Sequence, residues 1–138
     1  MELTPEQVNA FIRDAYPSAA EIYRCEDLAA KQAVARWPFD PDQNRPGGLI
    51  SGPVQFGLAD VAFWFATFTV LGLAPMAVTS ELGIRFLRPA SGGDLMARAE
   101  ILRSGRSGLV GDVRLWVDGA PDRLVAVAHG TYIDATRP

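Results

Sequence analysis

Along most of this chain the hydrophobic and polar positions follow one of two periods, but one stretch follows neither. From Ile50 to Leu71, ISGPVQFGLADVAFWFATFTVL, apolar residues fall on every side and Asp60 is the single formal charge. A surface helix shows one apolar stripe and one polar face, so a helix with no polar face is expected to be buried nearly all round. Ser51 can cap it, Pro53 suits a first turn where its missing N–H has no partner to lose, and Gly72 stops it. A central helix over residues 51–71 would run about 30 Å at ~1.5 Å per residue. A carboxylate in the middle of such surroundings is costly to keep charged and needs a partner or a task.

Period two takes over after Gly72. In Val78–Leu87, residues Leu82, Ile84 and Phe86 alternate with Glu81, Gly83 and Arg85, as in a strand with one covered face, and Pro89 ends the run. Three more strand-like runs follow, Asp94–Arg103, Leu109–Val117 and Arg123–Ile133, joined by Gly-containing turns short enough for antiparallel neighbours. Upstream, Ile22–Trp37 reads as two strands around a turn, although its alanines are weak strand formers. The Pro, Asn and Gly residues between Pro38 and Gly48 mark a loop, of the kind that carries function when it leads into a buried helix. Thr4-Pro5-Glu6-Gln7 is a capping box for a short amphipathic helix through Val8, Phe11, Ile12 and Ala15, a lid or packing element within residues 1–16. The sum is an α+β domain over residues 1–138: one long apolar helix with a curved antiparallel sheet of five or six strands around it.

Composition narrows the function classes. A chain of 138 residues with 49% hydrophobic positions suits one compact domain, and a net charge of −3 provides no basic field for nucleic acid. The central helix is about as long as a bilayer needs, but Asp60 would cost about 2.5 to 3.5 kcal/mol at the membrane centre. The strands that follow need a core, so no membrane role is expected. One cysteine, Cys25, allows no internal disulfide and no zinc cluster; no metal or cofactor is expected. Without a secretory signal at Met1–Thr4, a cytoplasmic location is expected.

Several short motifs then fall into one order and spacing. They are the Asn44 loop, Ser51-Gly52-Pro53, Leu58-Ala59-Asp60 and the strand Thr79-Ser80-Glu81-Leu82-Gly83-Ile84-Arg85-Phe86-Leu87-Arg88-Pro89-Ala90. Over residues 20 to 134 the chain resembles the hotdog-fold acyl-CoA thioesterases, in particular the branch associated with phenylacetate catabolism. The resemblance implies a hotdog fold and hydrolysis of a small or medium acyl-CoA, with coenzyme A as part of the substrate. It implies Asp60 as base or nucleophile, the Gly52 N–H as oxyanion donor, and Asn44 and Thr79 as residues that orient substrate or water. It also implies a homodimer or homotetramer, with the loop of one chain facing the acid of the other. Two departures stand out: Ser51 replaces the motif His and Pro53 the second Gly, which removes an imidazole and a backbone donor.

Elementary chemistry agrees with that assignment. A helix start concentrates unpaired N–H groups and about half a positive charge, which suits the oxyanion formed when a thioester carbonyl is attacked. Asp60 lies about 12 Å along the helix from Gly52, too far for both to reach one carbonyl within a single chain. Ser51, Arg88 and Arg106 are candidates for holding substrate, since arginine forks suit the phosphates of coenzyme A. Arg103 is a further candidate for the same task. His129, the sole histidine, shares a strand face with Val127 and Thr131 and has no acid near it in sequence; Cys25 has no companion for nucleophilic chemistry. A non-catalytic acyl-CoA or small-ligand binding protein on the same fold is the alternative. A dehydratase would want a histidine near the helix.

Overall fold

The long helix forms where its caps predict. In the computed structural model, which describes residues 2–136, α3 spans Gly52–Leu71; Ser51 Oγ accepts from the Val54 N–H, Pro53 sits in the first turn, and Gly72 ends the helix at φ +80°. Residues 1, 137 and 138 of the expected 1–138 domain lie outside the described residues. Around α3 curves a six-stranded sheet in the order β1-β2-β4-β5-β6-β3. Its strands are β1 (Arg24–Ala29), β2 (Gln32–Trp37), β3 (Ala77–Phe86), β4 (Leu95–Gly105), β5 (Gly108–Val117) and β6 (Ala126–Asp134), and every neighbouring pair is antiparallel. A long helix wrapped by such a sheet is the hotdog fold.

The alanines that weaken the strand signal have a packing reason. Ala33, Ala35, Ala97, Ala99, Ala126 and Ala128 are all buried on the sheet face toward α3, where short side chains leave room for the rings of Phe63, Phe65 and Phe68. At Gly111 the fit is tighter still: a methyl group there would stand 2.6 Å from the Glu100 carbonyl oxygen and 3.1 Å from the Phe63 ring. Phe63 in turn stacks on Tyr132 of β6, with ring centroids 4.8 Å apart.

The N-terminal segment is a packing element. α1 (Pro5–Ala15) opens with the expected capping box, buries Val8 and Ile12, and sets Phe11 edge-on against Phe68. Asn9 fastens it to the sheet edge, its side chain donating to the Cys25 carbonyl and accepting from the Cys25 N–H. A further helical turn, α2 (Pro17–Ala20), follows where the sequence signals only an end to α1. Arg36 bonds Glu26, Asp94 and Asp118, tying β1 and β2 to the two segments that enter and leave the β4–β5 hairpin at its open end.

Three details correct the sequence expectations. The first strand begins at Arg24, two residues after Ile22, because the Ile22 and Tyr23 N–H groups bond back to Ala19. The last begins at Ala126 rather than Arg123, because the Arg123 N–H closes a turn onto Ala120. The third concerns α3, which is not buried all round within one chain: Pro53 and Phe56 are exposed and Asp60 is half-buried, forming an uncovered stripe at helical spacing.

Truncating the ring at the centre of this packing should be severe. Phe63→Ala is expected to lower unfolding stability by about 3–5 kcal/mol in chemical denaturation. A loss below about 1 kcal/mol would mean that the helix–sheet interface collapses around the gap.

Candidate active site

Asp60 sits on the uncovered stripe of α3 and is held from the sheet. Its Oδ1 accepts from Thr79 Oγ1 at 2.6 Å and from the Tyr132 hydroxyl at 2.5 Å, while that hydroxyl also lies 2.9 Å from the Asp60 carbonyl oxygen. No described residue bonds Oδ2. One carboxylate oxygen is therefore clamped and the other is uncommitted, the arrangement needed to fix a carboxylate plane while leaving a lone pair for chemistry.

Thr79 reaches Asp60 because of a β-bulge. Leu82, Ile84 and Phe86 face the helix, and strict alternation from them would turn Thr79 to the outer face. The β3–β6 register slips between Thr79 and Glu81, so Ser80 is the extra residue and Thr79 points inward, paired with Tyr132. Gly130 makes the bulge possible: a methyl group there would lie 2.1 Å from the Glu81 carbonyl oxygen.

Tyr132 is the site residue that sequence reasoning missed. The available signal was its alternation with Ala126, Ala128 and Gly130 on the covered face of β6, since a phenol at an inward position must find a partner. Burial and, next, the Asp60 charge push its pKa well above the ordinary phenol value. Tyr23, packed on Trp37 and Phe65, is pushed up to about 12, chiefly by burial.

The start of α3 is a second polar feature. The Gly52 N–H has no acceptor among the described residues, whereas Val54 N–H is taken by Ser51 Oγ and Gln55 N–H by the Ser51 carbonyl. A methyl group at Gly52 would stand 3.3 Å from the Phe86 ring, so glycine lets that ring lie against the helix start. Ser51, expected to bind substrate, is engaged as the cap. Asn44 lies in the loop before the helix, where its side-chain amide donates to the Gly48 carbonyl at 3.4 Å.

The remaining candidates do not gather at Asp60. Arg88 donates to the Leu124 carbonyl beyond one end of β3, whereas Arg106 lies in the β4–β5 turn at the other end of the sheet. The ten-residue length of β3 separates those ends by about 30 Å, so one protomer cannot offer both arginines to one ligand. Arg103 lies on β4 near the same turn as Arg106. His129 is exposed on the outer sheet face, opposite Asp112 and Gly83. Cys25 is buried, and its thiol is pushed up to about 12, mainly by that burial. A cavity of about 950 Å³ between α1 and the C-terminal end of α3, lined by Phe11, Leu28, Phe68 and Leu73, includes neither Asp60 nor Gly52. Among the described residues no three His, Cys, Asp or Glu side chains converge to hold a metal ion.

Comparison with known proteins identifies the family. The family model described as the thioesterase superfamily matches residues 47–124, which contain the helix start, Asp60 and Thr79. The chain belongs to the thioesterase superfamily. It is 32% identical over 108 residues to a protein assigned as an esterase in Saccharolobus solfataricus, covering 78% of this chain and 70% of that one. A protein assigned as a thioesterase from Silicibacter sp. TM1040 has a similar structure, with a TM-score of 0.84, 30% identity, and coverage of 94% of this chain and 90% of that one. A mutant of the phenylacetic acid degradation protein PaaI from Thermus thermophilus is similar at a TM-score of 0.69 and 26% identity, covering 89% of this chain and 96% of that one. Membership of the superfamily supports thioester hydrolysis as the general chemistry of this chain.

The phenols provide a direct check on the site. Because their folded pKa values lie above the ordinary value near 10, Tyr132 and Tyr23 contribute stability below pH 10 that is lost as pH rises through the folded values. Alkaline titration followed by phenolate absorbance should show both ionising only above pH 11. In Tyr132→Phe the fall in stability between pH 10 and pH 12 should be shallower than in the wild type.

Proposed function

We propose that this thioesterase-superfamily protein hydrolyses a small or medium acyl-CoA, with Asp60 as general base and the Gly52 N–H of a partner subunit as oxyanion donor. The observation that carries the proposal is the half-clamped carboxylate on the open stripe of α3, with Oδ1 held by two hydroxyls and Oδ2 free. In the proposed step Oδ2 takes a proton from water as the water oxygen attacks the thioester carbonyl. The carbonyl electrons pass to oxygen beside the Gly52 N–H, and collapse of that intermediate expels the coenzyme A thiolate, which takes up a proton. An amide at a helix start is suited to the developing negative charge, and loss of one such donor typically costs about 2.7 to 4 kcal/mol in the transition state.

The proposal requires two copies. Asp60 and Gly52 are separated by about two helical turns within a chain, so the carbonyl must lie between the Asp60 of one copy and the helix start of another. Two observations favour pairing on that side. The stripe Pro53–Phe56–Asp60 is uncovered, and β3 is a ten-residue edge strand whose far end carries Phe86 and Leu87, 50% and 46% exposed. A long edge with unpaired backbone groups and apolar side chains is a template for another strand. Asn44, in the loop before the helix, would meet substrate from the partner's side. Arg88 and Arg106, being far apart in one chain, would reach coenzyme A phosphates only from different copies. The cytoplasm, where acyl-CoA is available, is the proposed location.

One observation favours a second reading. Ser51 stands where related enzymes carry a histidine, and its hydroxyl is occupied by the cap, as would suit a protein that binds acyl-CoA without turning it over.

Thiol release across a panel of acyl-CoA esters separates the two. Asp60→Asn should lower kcat/KM by about 10²- to 10⁴-fold while the thermal transition stays within a few degrees of wild type. Binding without turnover in both proteins would favour the second reading, and unchanged turnover in the variant would remove Asp60 from the mechanism. Tyr132→Phe, which deletes one of the two donors to Oδ1, should lower kcat about ten- to a hundredfold with KM little changed.

A further inference from the structure

The loop that carries Asn44 is tied to the rest of the chain at its two ends and at one point between them. At the near end the Phe39 N–H donates to Asp94 Oδ1 at 2.7 Å, and Arg36 holds the other oxygen of Asp94 at 2.9 Å. At the far end the Ile50 N–H donates to the Ala90 carbonyl at 2.8 Å. Residues 40–49 otherwise bond among themselves. In the 3-10 turn Pro41–Gln43 the Asp40 side chain accepts from the Asp42 N–H and the Asp40 carbonyl from the Gln43 N–H. The Asn44 N–H returns to the Pro41 carbonyl, and Arg45 and Leu49 bridge the tip. Among the described residues, one hydrogen bond alone leaves this segment: the Trp37 indole N–H donates to Gln43 Oε1 at 3.1 Å.

Trp37 is itself fixed against the central helix. It ends β2, and its ring lies 3.4 Å from where a methyl group on Gly57 would stand, one turn before Asp60. The same ring packs 6.1 Å from Tyr23. The gap that Trp37, Gln43 and Asn44 share with Val54 of α3 holds only about 10 Å³, barely room for one water molecule. Gln43 and Asn44 are adjacent in one closed turn, so whatever locates the first locates the second. The bond from the Asn44 side chain to the Gly48 carbonyl stays inside the loop and sets nothing relative to the helix. We propose that Trp37, acting through Gln43, is a positioning residue for Asn44, an inference that rests on the hydrolytic reading of Asp60 and Asn44. It adds a direction to that reading. Because Asn44 meets substrate from the partner's side, loss of the Trp37 N–H in one chain should impair the site built on the partner's Asp60 and spare the site built on its own.

Thiol release from an acyl-CoA ester tests this, with the thermal transition as the check on folding. Trp37→Phe keeps a ring against Gly57 and deletes the N–H, while Gln43→Ala deletes the acceptor at an exposed position. Each should lower kcat/KM about three- to tenfold, and the double variant should fall no further than either single one. Gln43→Glu keeps an acceptor at the same reach and should recover most of the loss. Mixed dimers of Trp37→Phe and Asp60→Asn chains, isolated by a different tag on each, test the direction. One of their two sites has both an intact Asp60 and an intact loop, so kcat/KM should be about half that of wild type and above either parent. Unchanged kinetics in both Trp37→Phe and Gln43→Ala would overturn the proposal and leave Asp60 in its role, as would mixed dimers no faster than the Trp37→Phe parent. Wild-type turnover in Asp60→Asn would overturn the hydrolytic reading itself, and this inference with it.

Discussion

A helix with almost no polar face has to be enclosed, and most of the architecture follows from that requirement. Around α3 the sheet supplies small residues where the helix supplies large ones, so the alanines of β2, β4 and β6 accommodate the phenylalanines at positions 63, 65 and 68. Burial of these rings contributes to the favourable side of folding, because apolar area removed from water dominates folding energetics. The enclosure stops short of one stripe, and the only carboxylate of the helix sits on it. Asp60 is thus placed at the boundary between a packed interior and an open surface, where a carboxylate can stay accessible while its orientation is fixed.

Orientation comes from the sheet. Thr79 and Tyr132 are neighbours across β3 and β6, and both donate to the same oxygen of Asp60. Tyr132 is itself fixed by stacking on Phe63, so the core ring and the site carboxylate are linked through one aromatic side chain. The bulge at Ser80 couples local backbone geometry to chemistry: a single extra residue changes which face Thr79 occupies without disturbing the inward row Leu82, Ile84 and Phe86. Bulges beside functional residues commonly re-aim a side chain in this way.

The proposed reaction would be divided between two copies. A helix presents its donors at one end, and the carboxylate lies two turns along the same rod, so the rod cannot fold back to join them. Placing two rods against each other solves the geometry without any hinge or lid. In such a pairing substrate selectivity would depend on side chains such as Phe56 and Phe86, which are exposed in one chain.

How much of this was legible in the sequence depends on the range of the interactions concerned. The helix limits followed from Ser51, Pro53 and Gly72, and the strands from period-two patterning, because caps and alternation act over a few residues. Asp60 stood out as a lone charge in an apolar run, and the motif order suggested Gly52 and Thr79. The partner of Asp60 on β6 was not legible, because Tyr132 is 72 residues away and meets it only through the register of two strands. Nor was the bulge at Ser80, since alternation on either side of it looks regular when read separately. The distance between Arg88 and Arg106 likewise depends on strand order. By itself the sequence determined where the long helix and the strands lie and which residues are candidates for chemistry, through local sterics and hydrophobic period. Only the tertiary structure decided which of those residues touch, because pairing across a sheet is set by register and packing between segments far apart in the chain.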